Sequence, residues 1–136
     1  MRSTLFLLAL LSVSLSAADG YEVYKNKCQQ CHIEMISKAE TLKIFKTLKA
    51  PPMVEVSNRI KENIIIADDD DDVKRRVVIA FIKDYIENPS LDYSMCHAMA
   101  IERFDIMPSQ KGKLTQEEIE AVAIWVHDRY EDTEFK

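Results

Sequence analysis

The 136-residue sequence predicts an all-α domain of about four to five helices. Three observations carry this. Glycine occurs only twice, apolar residues recur with helical rather than alternating spacing almost throughout, and two Ser/Thr-to-Glu capping boxes mark helix starts. The length suffices for one core and is too small for two.

The first helix is expected over about residues 19–31, where steps of four, four and three set Gly20, Tyr24, Cys28 and Cys31 on one face. A second opens at Ser37, capped with Glu40, and is expected to carry Leu42, Phe45 and Leu48 inward until Pro51 and Pro52 stop it. A third follows the prolines, with an apolar stripe of Met53, Val56, Ile60 and Ile64, and runs out in the acidic stretch "ADDDDDV". A fourth places Val78, Phe81, Ile82 and Tyr85 on one face and ends at Asn88-Pro89. Asp68, Asp69, Asp70, Asp71 and Asp72 fall near its start, where acids favour a helix N-terminus; they lack the glycine and the spaced carboxylates of a calcium loop. The last helix begins at the Thr115/Glu118 box and repeats Ile119, Val122, Ala123, Val126 and Tyr130. Between Asn88 and Thr115 a long loop is expected, rich in methionine (Met95, Met99, Met107). A loop of that length in a compact domain usually has a functional reason.

Residues 1–18 carry one basic residue, an apolar run from Leu5 to Leu11, and small residues at Ser16 and Ala18. That is the composition of a secretory signal cleaved near Ala18, and the run is too short for a membrane span. The expected product is a single domain of residues 19–136, exported to the periplasm and not integral to the membrane. The net charge of −5 argues against nucleic acid as a partner. Six lysines (Lys25, Lys27, Lys38, Lys43, Lys46, Lys49) nevertheless face only Glu34 and Glu40 in the segment around the first two cysteines.

Cys28 and Cys31 stand three apart with His32 directly after, in "CQQCH". A closed zinc site would need Cys96, His97 or His127 as further ligands, and adjacent Cys96 and His97 lack the usual pair spacing. A disulfide oxidoreductase would place such a pair after a strand, and a plain disulfide between them would close a strained loop and leave His32 without a use. A haem employs all three: two thiols add across its vinyl groups and the adjacent histidine reaches the iron. That reading also predicts a second ligand far along the chain, for which a loop methionine is the expected type.

These residues resemble a class I monohaem c-type cytochrome of the bacterial periplasmic kind. "GYEVYKNKCQQCH" is similar to the family's first helix, with Gly20, Tyr24 and Cys28 at steps of four, and "IMPSQKGKLTQEEIEAVAIWV" resembles its axial-methionine loop and capped last helix, with Met107, Pro108 and Trp125. The resemblance implies a small cytochrome c-like bundle wrapped around one covalent haem c. Cys28 and Cys31 would form its thioethers, with His32 and Met107 as axial iron ligands. Gly20 would permit a close crossing of first and last helices. The function implied is a soluble single-electron carrier between respiratory redox proteins, not an enzyme, expected as a monomer docking through Lys25, Lys27 and neighbouring lysines. Alternatives within the same chemistry are a gas-binding or catalytic haem protein with an open sixth position, and a cytochrome subunit of a larger redox complex. The sequence departs from the family after His32, where "IEMISKAE" lacks the Gly-Pro whose carbonyl commonly orients the histidine; Pro51 or Pro52 is the expected substitute. Tyr93 stands where a first cysteine would be needed for Cys96-His97 to make a second motif. Met53 is expected to pack, Met95 and Met99 to line the haem pocket or the core, Cys96 to be free or to pair between molecules, and His97 and His127 to lie on the surface or in loops.

Overall fold

The Asp19 carboxylate accepts from the Tyr21 and Glu22 amides and so caps α1 (Gly20–Val23). The computed structural model describes residues 17–67 and 70–136. Residues 1–16 of the expected secretory signal 1–18, and Asp68 and Asp69 of the acidic run, lie outside the described residues. α1 continues as one wide π-turn, Tyr24–Cys28, closed by the Gln29 amide on the Tyr24 carbonyl at 2.9 Å. Then come α2 (Lys38–Ile44), α3 (Met53–Asn63), α4 (Asp71–Glu87), α5 (Ala98–Phe104) and α6 (Gln116–Arg129), with no strand among the described residues. The all-α expectation holds.

The capping boxes at Ser37/Glu40 and Thr115/Glu118 are both formed, each with the reciprocal pair of bonds. Asp70 caps α4 by accepting from the Val73 amide at 2.9 Å, and Asp71 and Asp72 occupy its first turn, as the acidic run predicted. Several local expectations need correction. The first helix does not reach Cys31, because the chain leaves helical geometry after the π-turn. α2 is only seven residues long and turns Leu42 outward, 59% exposed, while Thr41 and Leu48 are buried. The expected loop between Asn88 and Thr115 contains α5, which the short apolar pattern of "AMAIERF" had concealed.

α6 packs against α1 and α4. At the first crossing there is no space for a side chain on Gly20: a Cβ there would lie 2.3 Å from the Ala121 carbonyl oxygen and 2.5 Å from the Trp125 Cβ. Tyr24 fills the same seam, fully buried and stacked on Trp125 with ring centroids 4.6 Å apart. Ile119, Val122, Ala123 and Val126 of α6 meet Val78, Ile79 and Ile82 of α4 in one core with Val54 and Ile60 of α3. Each fully buried aliphatic side chain there contributes roughly 1.5–3 kcal/mol. Ser57 ties α3 to α6 through a buried bond from its hydroxyl to the Val126 carbonyl, 2.8 Å. His127 is not a surface histidine: it is 6% exposed, because Lys61 of α3 donates to its carbonyl and its ring bonds Asp128. The C-terminal tail folds back over α3, where Asn58 bonds the Thr133 carbonyl and the Phe135 amide, each at 2.8 Å.

Candidate functional site

The π-turn delivers the chain into a tight reversal at the motif. The Cys31 and His32 amides both donate to the Cys28 carbonyl, at 3.0 and 2.9 Å, so the three candidate residues share one turn. Cys28 is half-buried against the core, Cys31 is exposed, and both are free thiols. Burial pushes the Cys28 thiol up to about 11, with Cys31 adding to the rise, so it is held as the neutral thiol.

His32 is fixed at both ends. Its Nδ1 lies 2.8 Å from the Pro51 carbonyl. A carbonyl only accepts, so Nδ1 carries the proton and the lone pair of Nε2 is left free to bind a metal. Burial lowers the imidazole pKa, against the Pro51 bond that raises it, and so favours the neutral, ligating form. The His32 carbonyl accepts from the Tyr24 hydroxyl at 2.8 Å. Burial, aided by Glu34 and Cys28, raises that hydroxyl to about 12, so it remains a donor. Pro51 is brought within reach by a short backbone ladder: the Met53 amide donates to the Ile33 carbonyl at 2.7 Å and the Val54 amide to Glu34 at 3.2 Å. The acceptor that "IEMISKAE" lacks is therefore supplied nineteen residues beyond the histidine.

Met107 is half-buried in the loop joining α5 to α6. The loop is fastened to the C-terminal end of α4: the Gln110 amide donates to the Ile86 carbonyl at 2.9 Å and the Ser109 hydroxyl to that of Glu87 at 2.5 Å. Its entry is strained, since Asp105 adopts a left-handed φ of 62° and uses its carboxylate to accept from the Ile106 amide. A small cavity of about 50 Å³ opens behind Pro51, between Val56 and Ile60 of α3 and Phe81 and Tyr85 of α4. Met53 is core, at 5% exposure; Met95 packs partly against the core, whereas Met99 is 63% exposed and does not pack as expected. Sequence reasoning missed Tyr24 as a partner of the histidine; its place four residues before Cys28 was the available signal.

The residues present fit a covalently bound haem: two unpaired thiols on one turn, beside a neutral histidine whose free nitrogen is set by a fixed carbonyl. Residues 15–126 match the family model described as cytochrome C oxidase, cbb3-type, subunit III. The chain belongs to this family. It is a c-type cytochrome domain, which implies covalent haem c, electron transfer and redox partners. The cytochrome is also similar to an uncharacterized protein of Aquifex aeolicus (strain VF5), 37% identical over 148 aligned positions that cover 98% of this chain and 91% of that one. No solved structure matches. Among the described residues no helix of this cytochrome is long and apolar enough to cross a membrane.

Proposed function

We propose that this cytochrome is a single-electron carrier holding one haem c, with thioethers from Cys28 and Cys31 and with His32 and Met107 as the axial ligands. The observation that carries the reading is the 2.8 Å tie from His32 Nδ1 to the Pro51 carbonyl, next to two free thiols. It fixes the ring and its tautomer before and after an electron arrives, which keeps rearrangement small. When bound, the haem supplies the one-electron chemistry; the protein's part is to hold the histidine, exclude water from the buried side and leave one edge near Cys31 accessible. No bond in a substrate is made or broken, so the protein is not an enzyme. The apolar leader through Ala18 supports export to the periplasm, where the domain 19–136 would work. Lys25 and Lys27 flank the motif and are exposed, which suits brief docking on an acidic patch of a donor or acceptor.

The deciding experiment is the visible spectrum of the exported, haem-loaded protein, reduced, with and without carbon monoxide. A low-spin spectrum unchanged by the gas is expected, and Met107→Ala should open the site so that the gas shifts the spectrum. A shift in the unmutated protein would replace the carrier by a gas-binding or catalytic haem protein. Absence of covalent haem would overturn the reading altogether.

A second reading is favoured by the family's own description as an oxidase subunit: the same haem chemistry within a permanent complex. The mass of the native species separates the two, since a carrier elutes alone.

A further inference from the structure

The stretch Met95, Cys96, His97, Met99 gathers two thioethers, a thiol and an imidazole within five residues, and electron transfer at the Cys28–His32 turn gives none of them a task. The chain is extended there rather than helical: His97 is the N-cap residue of α5, with φ −61° and ψ 148°, and its side chain makes no capping bond. Met95, Cys96 and His97 all line the cavity of about 50 Å³ behind Pro51, which has room for an ion or a few waters. Cys96 is a free thiol and is reachable from solvent. Met99 is the second residue of α5 and is 63% exposed, although methionine ordinarily packs. His97 and Met99 also share the wall of a larger cavity, about 520 Å³, between α2, α3 and α5.

The donor types select the metal. Among the described residues no three His, Cys, Asp or Glu side chains are placed to hold an ion together, so the closed four-ligand shell of structural zinc is not formed. Soft thiolate and thioether donors select monovalent copper, which is satisfied by two or three ligands. We propose that Cys96, His97 and Met95, which line the same small cavity, form a copper(I) site. On binding, the Cys96 thiol releases its proton to solvent and its sulfur bonds the ion; copper stays cuprous and no electron is transferred. The site would adjoin Pro51, whose carbonyl holds His32, while leaving the haem-binding turn itself untouched.

The test is an anaerobic competition in which the haem-loaded protein takes copper(I) from the coloured chelator bicinchoninate while the haem absorption is followed. One copper(I) per chain is expected, with an unchanged haem spectrum. Cys96→Ser should weaken binding by more than the about 10–100-fold that loss of an outer partner of a metal site costs, and Met99→Leu by less. Both changes lie at exposed positions and should leave folding intact. The proposal fails if the unmutated protein and Cys96→Ser compete equally. It also fails if copper uptake or His97→Ala changes the haem spectrum, since this segment would then serve the iron.

Discussion

Replacing Gly20 by alanine would set a methyl group where α1 and α6 cross with no space between them. Its Cβ would meet the Ala121 carbonyl oxygen at 2.3 Å and the Trp125 Cβ at 2.5 Å, whereas such contacts normally exceed 3.4 Å. One of these neighbours is backbone in the middle of α6 and cannot rotate away, so the helices must separate by about an ångström. Overpacking of this kind costs roughly 1–3 kcal/mol. The gain from removing a glycine from a helix, at most about 1 kcal/mol, is smaller at its first position and does not offset it. The separation also loosens the stacking of Tyr24 on Trp125, whose centroids are 4.6 Å apart, so the upper part of the range applies. For a chain of this size, about 2–3 kcal/mol corresponds to a fall in Tm of roughly 6–15 °C. Thermal unfolding of the haem-loaded protein followed by far-ultraviolet circular dichroism measures it. An unchanged or raised Tm would show that the crossing is not close-packed and that Gly20 is there for another reason.

Tyr24→Phe removes the hydroxyl that donates to the His32 carbonyl and leaves a half-buried acceptor unpaired, with an expected loss of about 1–2 kcal/mol in urea unfolding at unchanged slope. Asp128 titrates below its ordinary value: burial acts to raise it, but hydrogen bonds from Arg75 and His127 together outweigh that. A depressed carboxylate stabilises the fold above its unfolded value of 3.8 and loses that contribution as pH falls toward the folded value. Stability of the unmutated protein should therefore drop across that acid window more steeply than that of Asp128→Asn; parallel curves would discount the Arg75 and His127 bonds. Electron transfer to a partner that docks on Lys25, Lys27 and their neighbours should slow as ionic strength rises, and a salt-independent rate would remove those lysines from the docking face.

What could be read from the sequence was whatever is decided within a few residues. "CQQCH" is legible because covalent attachment and ligation impose fixed spacing, and the Ser37 and Thr115 boxes because a cap is a contact across three positions. The four-residue steps set Gly20 and Tyr24 on one face, but their crossing with the last helix at Trp125 was legible only through the family resemblance. Pro51 could be narrowed to a region but not chosen over Pro52, since only the pairing of 33–34 with 53–54 selects its carbonyl. Leu42 and His127 were misread for a shared reason. Their burial is decided by long-range docking, of a seven-residue helix in one case and of Lys61 on α6 in the other. α5 is held by Arg103 bonding the Lys46 and Leu48 carbonyls as well as by its own seven residues, and that support is invisible along the chain.

Trp125 is the sole tryptophan of the chain, and it sits in the seam that Gly20 keeps thin. It stacks on Tyr24, four residues ahead of Cys28, so a haem attached at that turn would quench its emission. The fold thus contains its own optical gauge: light from one indole would report how far the last helix has moved from a haem held at the first.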